Sequence, residues 1–228
     1  MARKFEKPYI RRKLKSGEYV TFDVTLSGLV LGTSDHLNQL PAIMNHFREN
    51  NVKMVLDFGA GRRLRNTWPL LREGSFDVYI CDYEKLIPQG DPNLVSARGM
   101  GLKTLIYPKE LLEAQLEFDA ILLSYVLNIL PDKKCRREVL RACWDKASKG
   151  AFLVVASPNY NTNVRGSCTD NDCYDIGWIR WTAKRYKHKA FYSEPTKEYL
   201  IDLVSSTGFQ YEDEWHQRTA KVLRFRKV

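Results

Sequence analysis

The sequence predicts a single-domain α/β protein: a mostly parallel sheet with helices on both faces. Three observations carry this. First, the apolar run Val55-Leu56-Asp57-Phe58 is followed by Gly59-Ala60-Gly61, and a second apolar run ends in Ile80-Cys81-Asp82. That pattern reads as two parallel strands joined by a helix, with a glycine turn above the first strand and a carboxylate at the tip of the second. Second, Phe118-Asp119-Ala120-Ile121-Leu122-Leu123-Ser124 and Ala151–Ala156 are buried-strand runs separated by a helical stretch. Third, the chain ends in two alternating segments suited to an antiparallel pair at a sheet edge.

Taken in order, residues 1–33 read as a basic N-terminal arm and lead-in, and 34–228 as the folded domain. Ser34 to Asn50 is an amphipathic helix capped by Ser34 or Asp35, with Leu37, Leu40, Ile43, Met44 and Phe47 on one face. The strands at 55–58 and 80–82 follow, and Leu102 to Tyr107 is the third strand. After Phe118–Ser124 comes a helix from Asp132 to Ser148, stopped by Gly150. Ala151 to Ala156 is the fifth strand, closed by Ser157-Pro158. A lid-like insertion spans about 158–194. Pro195 to Ser206 is helical and is ended by Thr207-Gly208, before the terminal pair Phe209–Glu214 and Lys221–Arg226.

The glycine spacing discriminates between cofactors. A dinucleotide site needs a third glycine three residues after the second, so that a helix N-terminus can hold the pyrophosphate. That position is Leu64, and Arg62, Arg63 and Arg65 crowd the turn. S-adenosylmethionine carries no phosphate and needs only the tight loop and an acid for the ribose. Asp57-x-Gly59-x-Gly61 with Asp82 resembles motifs I and II of class I S-adenosylmethionine-dependent methyltransferases; the same residues also suit an ordinary strand–turn–helix. The resemblance covers roughly residues 35–226. It implies a single-domain, seven-stranded Rossmann-like methyltransferase sheet and S-adenosyl-L-methionine as cofactor. The cofactor residues it implies are Asp57, Gly59, Ala60, Gly61, Asp82, Tyr83, Ser124 and Tyr125.

Ser124-Tyr125-Val126-Leu127-Asn128-Ile129-Leu130 is also similar to a segment of methyltransferase-like proteins associated with DNA phosphorothioation. Two departures stand out. Arg63 replaces the third glycine of the usual methyltransferase loop. The acid that often holds the adenine amine has only a displaced counterpart, Glu110, after Tyr107-Pro108-Lys109.

Ser157-Pro158-Asn159-Tyr160 resembles the signature of amino-methylating DNA methyltransferases, but it follows the fifth strand rather than the fourth and lacks the second proline. It reads as a strand-ending turn. At the fourth-strand tip, Tyr125 either contacts substrate and walls off the methyl group or simply packs. If a general base is needed, Tyr125, Asp175 and His188 are the candidates. No Pro-Cys follows the fourth strand, which argues against covalent cytosine C5 methylation.

At 228 residues and 44% hydrophobic, the chain can bury a core without metal or disulfide. No apolar run approaches the ~20 residues that span a bilayer, and the basic N-terminus lacks the apolar core of a secretory signal. Five cysteines with no metal-ligand spacing point to a reduced, cytoplasmic protein.

The net charge of +9 is clustered. Arg3, Lys4, Lys7, Arg11, Arg12, Lys13 and Lys15 crowd the N-terminus. Arg180, Lys184, Arg185, Lys187, His188 and Lys189 interleave with Trp178, Trp181, Tyr186, Phe191 and Tyr192. Cations attract phosphates and aromatic faces stack on bases, which suits DNA or RNA as partner through Arg11, Arg12, Lys13, Arg180, Trp181, Lys184, Arg185 and Lys187. The same features also suit a solubilising tail and sheet packing. The expectation is methyl transfer to nucleic acid; the alternatives are a small-molecule methyltransferase and a non-catalytic accessory protein of DNA modification.

Overall fold

A computed structural model describes residues 8–14, 17–25, 37–158, 190–217 and 220–228, together with the backbone of 173–174 and 177–180. Seven strands form the central sheet: β3 (Met54–Phe58), β4 (Asp77–Asp82), β5 (Lys103–Ile106), β6 (Phe118–Ser124), β7 (Ala147–Pro158), β11 (Phe209–Gln217) and β12 (Ala220–Lys227). Their order is β11-β12-β7-β6-β3-β4-β5. The five strands from β7 to β5 are parallel, and β12 and β11 close the edge antiparallel. The expected seven-stranded sheet is therefore present, with the third strand and the terminal pair where the sequence places them. Strand order reverses between β3 and β6, so the crevice beyond their carboxyl ends is where such sheets bind ligands.

Period-two alternation divides the core into two layers. Val55, Val78, Ile80, Leu122, Val154 and Val222 face α1 (Leu40–Glu49), α2 (Thr67–Glu73) and α3 (Pro92–Gly99). Leu56, Tyr79, Ile121, Leu123, Leu153 and Phe225 face α4 (Lys109–Glu113), α5 (Lys133–Lys146) and α6 (Lys197–Ser205). Helices thus cover both faces, as expected. The Phe118-Asp119 pair has a physical role: the Asp119 carboxylate accepts the amides of Lys53 and Met54 at 2.9 and 3.0 Å, setting the start of β3. No helix among the described residues is long and apolar enough to cross a membrane.

Three expectations are corrected. Helix α1 starts at Leu40, with Pro41 in its first turn, although its buried face is the expected one; Ser34 and Asp35 lie outside the described residues. Gly150 does not end a helix. Helix α5 runs straight into β7 at Ala147, and Gly150 sits within that strand at φ 80°. Ser157 and Pro158 are not a turn either; they are strand residues paired with Lys221 and Ala220 of β12.

The N-terminal segment departs furthest from an arm. Strands β1 (Tyr9–Lys13) and β2 (Tyr19–Asp23) form an antiparallel hairpin that delivers Ile10, Leu14, Val20, Phe22 and Val24 into the core layer on the α4–α6 side. Phe22 meets Phe191 edge to face at 5.8 Å. Two ion pairs pin the hairpin: Lys85 to Asp23 at 2.6 Å, and Arg12 to Asp132. Asp132 also caps α5, accepting the Cys135 amide at 2.8 Å. Asp132→Ala is therefore expected to lower stability by about 1–3 kcal/mol, combining a lost cap and a partly buried pair; urea denaturation measures it.

Within the expected insertion, β8 (Cys173–Tyr174), β9 (Gly177–Arg180) and β10 (Ala190–Ser193) form a three-stranded antiparallel sheet in the order β10-β9-β8. Asn159, Tyr160, Asp175, Trp181, Lys184, Arg185, Tyr186, Lys187, His188 and Lys189 lie outside the described residues, as do the side chains of Trp178 and Arg180.

Candidate functional site

The crevice at the reversal point is built on the glycine loop. Gly59 and Gly61 adopt φ of 76° and 62°, the left-handed region that side chains resist. The Gly59 amide donates to the Cys81 carbonyl at 2.7 Å, locking the loop against β4. A Cβ at Gly59 would lie 2.5 Å from Val126 Cγ2, so only glycine lets this backbone approach the segment after β6.

Asp82 closes the other side. It is 7% exposed, and its carboxylate accepts the amides of Gly61 at 2.9 Å and Tyr83 at 2.8 Å. Burial pushes its pKa up to about 6, against the downward pull of those two amides. Each oxygen uses one lone pair on the backbone and keeps another for a ligand hydroxyl. Next to it in sequence Tyr83 joins Phe58 and Tyr107 in the core layer on the α4–α6 side, with ring centroids 5.2 Å (Phe58–Tyr107) and 5.4 Å (Tyr83–Tyr107) apart. Burial raises the phenol pKa of both tyrosines, keeping them neutral donors. A glycine cradle beside a buried acid fits an adenosine with free ribose hydroxyls.

The remaining loop residues are braces. Asp57 is buried and accepts the Thr67 hydroxyl at 2.7 Å, tying β3 to the start of α2. Arg62 donates to Asp91 at 2.9 Å, and that hydrogen bond foremost holds the Asp91 carboxyl below its ordinary pKa; Asp91 in turn caps α3. Leu64, at the place of a dinucleotide site's third glycine, is wholly buried, and α2 begins only at Thr67. Glu110 accepts the Ile106 amide at 2.7 Å, so the displaced acid anchors the end of β5.

Ser124 and Tyr125 stand at the tip of β6. Tyr125 takes φ 57° and donates its amide to Ala156 at 2.9 Å. A non-glycine residue held left-handed stores about 1–3 kcal/mol of strain, and such strain concentrates at functional sites. Ala60 and Tyr125 pack on the α1–α3 core layer. A short helical turn, Leu127–Ile129, follows.

Sequence reasoning missed the residue that holds this turn. Arg136 of α5 is fully buried and donates to the carbonyls of Leu127 at 3.0 Å and Leu130 at 2.7 Å, and to the Tyr199 hydroxyl at 2.8 Å. One signal was available: Arg136 occupies the apolar stripe with Val139, Leu140 and Cys143 at helical spacing. The structure thus brings Gly59, Ala60, Gly61, Asp82, Tyr83, Ser124 and Tyr125 to one end of the sheet, with Asp57 beneath. Among the described residues no group of three or more His, Cys, Asp or Glu side chains is placed to hold a metal.

No protein-family model matches the chain, and no curated protein matches it in sequence. Solved structures do match. A S-adenosylmethionine-dependent methyltransferase from Methanosarcina mazei aligns with a TM-score of 0.64 at 16% identity, over 85% of this chain and 99% of its own. A 1,6-didemethyltoxoflavin-N1-methyltransferase from Burkholderia thailandensis, solved with S-adenosylhomocysteine, aligns at 0.60 and 19%, over 89% and 83%. Magnesium protoporphyrin IX methyltransferase from Synechocystis, also with S-adenosylhomocysteine, aligns at 0.57 and 14%, over 83% and 82%. The chain has the fold of the S-adenosylmethionine-dependent methyltransferases.

Proposed function

We propose that this protein is a S-adenosylmethionine-dependent methyltransferase and that its acceptor is a nucleic acid. One observation carries the cofactor: the buried Asp82 carboxylate, fixed by the Gly61 and Tyr83 amides beside a loop that only Gly59 can form. Asp82 would take the ribose hydroxyls, the 59–61 backbone would lie against the ligand, and Asp57 and Arg62 would keep the loop shaped. When bound, S-adenosylmethionine would supply a sulfonium methyl, to whose carbon an acceptor lone pair bonds in line while the carbon–sulfur pair returns to sulfur and S-adenosylhomocysteine leaves. The chain's part is orientation and exclusion of water, which can supply much of the acceleration.

The net charge of +9 and the basic, aromatic segment at 178–192 support nucleic acid. A small-molecule acceptor is the second reading. It is favoured by the internal engagement of Arg12 with Asp132 and Cys135, and by neighbours whose names specify a toxoflavin precursor and a porphyrin. Labelled S-adenosylmethionine incubated with DNA, RNA, protein extract and metabolite pools separates the two. Nucleic acid affinity should fall with salt by a logarithmic slope of roughly 0.7–0.9 per phosphate contact. Transfer only to metabolites, with no salt-dependent binding of DNA or RNA, would select the second reading.

The raised pKa of Asp82 makes a further prediction. Between pH 6 and the ordinary carboxylate value near ~4, the folded state holds a proton that the unfolded chain does not. The free protein therefore gains stability as pH falls through about 6. Ribose hydroxyls donate to the charged form, so S-adenosylhomocysteine affinity should move the opposite way, falling up to about tenfold per pH unit below that point. Calorimetry from pH 5 to pH 8 tests it; a flat profile would remove Asp82 from the ligand.

A further inference from the structure

The outer face of the N-terminal hairpin gathers exposed rings and cations. Along β1 the side chains alternate: Ile10 and Arg12 turn inward, to the core and to Asp132, while Tyr9, Arg11 and Lys13 are exposed. Asp23, Thr21 and Tyr19 of β2 stand opposite those three in register. Among the described residues only two Phe, Trp or Tyr side chains are exposed, Tyr9 at 43% and Tyr19 at 57%, and both lie on this hairpin. Rings carry the largest apolar area a core can bury, so two left in water on one ribbon form a patch suited to a partner.

The charges around the rings define that partner. Arg11 lies 4.6 Å over the Tyr19 ring and the Lys85 ammonium 5.4 Å from the centroid of Tyr9, so each ring is set beside a cation before a partner arrives. Asp23 is the only carboxylate in the two strands, and Lys85 neutralises it at 2.6 Å; Glu18 lies between the strands. The exposed face is therefore positive, which attracts phosphates. Beside β1 a groove of about 440 Å³ opens toward α5, with Tyr9, Arg11 and Arg12 on one wall and Asp132, Lys134 and Glu138 on the other. Its mixed charge suits a base edge, which brings donors as well as acceptors, better than a phosphate.

The ribbon also adjoins the cofactor crevice. Lys85 belongs to the helical turn Glu84–Leu86 that follows Asp82 and Tyr83, and Phe22 on the ribbon's inner face meets Phe191 of the insertion. We propose that the outer face of the hairpin is a stacking platform for single-stranded nucleic acid, with bases on Tyr9 and Tyr19 and phosphates on Arg11 and Lys13, leading the strand toward the crevice at Asp82. Aromatic faces take bases of any sequence, but only unpaired ones, since a duplex keeps its bases stacked on one another. The platform rests on the nucleic acid reading of the acceptor and narrows it to unpaired strands.

Fluorescence anisotropy with labelled DNA and RNA strands of about 12 nucleotides, single and annealed, tests it. The parent should bind single strands about tenfold or more tighter than the duplex of the same sequence, and the tighter of the DNA and RNA strands identifies the source. Tyr9→Thr and Tyr19→Thr keep a strand-forming residue while removing the ring. Each should weaken single-strand binding about fivefold to a hundredfold, with melting temperature and S-adenosylhomocysteine affinity unchanged. Tyr9→Phe and Tyr19→Phe should bind within about twofold of the parent, because stacking needs the ring and not the hydroxyl. Lys13→Gln should lower the logarithmic salt slope by roughly 0.7, one single-strand phosphate contact. Salt-dependent binding that prefers the duplex, threonine variants within about twofold of the parent, or an unchanged slope for Lys13→Gln overturns the platform and leaves the nucleic acid reading standing. A parent that binds no DNA or RNA of any form overturns both.

Discussion

Gly59→Ala is expected to weaken S-adenosylhomocysteine binding by about a hundredfold or more. Two penalties coincide at this position. Its φ of 76° disfavours any side chain, and the added Cβ would lie 2.5 Å from Val126 Cγ2. Val126 cannot retreat, because the turn that follows it is gripped by Arg136. Strain and overpacking together amount to about 2–4 kcal/mol. The loop can escape only by moving, which displaces the Gly61 amide from Asp82. Gly61→Ala is the comparison: φ is 62° there, yet none of the described residues lies within 4 Å of its Cβ. It should lose only the backbone term, ~1 kcal/mol. Calorimetry and thermal melting of both variants check this; equal effects would show that the contact with Val126 is not what requires glycine.

Arg136→Met should lower stability by about 2–5 kcal/mol, the scale of buried acceptors left without their charged donor. Methionine replaces most of the volume but none of the donors. The Leu127 and Leu130 carbonyls and the Tyr199 hydroxyl would each lose a partner, and the guanidinium also lies 5.9 Å from the Phe191 ring and 5.7 Å from that of Tyr199. Arg136→Lys should recover only part of the loss, because an ammonium cannot span three acceptors in a planar fork. Urea denaturation measures it. A loss under about 1 kcal/mol would mean that water replaces the guanidinium and that the turn is not held as described.

The parts of the fold that were legible share one cause: periodicity and punctuation acting together. Buried parallel strands such as Phe118–Ser124 are continuous apolar runs, and glycines between Phe58 and Arg62 have no place in a strand or helix interior. The acid at position 82 stood out because a carboxylate rarely ends a buried run without a use. What was not legible was local chemistry overridden by tertiary contact. The hairpin at 9–23 alternates correctly, with Ile10, Val20 and Phe22 buried, but its cations made it read as a solvated arm. Those cations are partly consumed at home: Arg12 pairs with Asp132, and Arg11 lies 4.6 Å over the Tyr19 ring. Gly150 looked like a helix stop because local rules favour one, whereas the pairing of Ala147 with Phe118 of β6 draws β7 back to Ala147. Arg136 was hidden by its type, since an arginine on a helix is solvated far more often than buried.

The measurement that bears most directly on the central claim is calorimetric titration of the protein with S-adenosylhomocysteine and, separately, with NAD, repeated on Asp82→Ala. The buried Leu64 and the delayed start of α2 leave no helix N-terminus for a pyrophosphate, while Asp82 retains lone pairs for a ribose. The expected result is binding of S-adenosylhomocysteine, much weaker binding of NAD, and a loss of about 1–3 kcal/mol for Asp82→Ala. Tight binding of NAD by the parent, or unchanged S-adenosylhomocysteine affinity in the variant, would contradict the account.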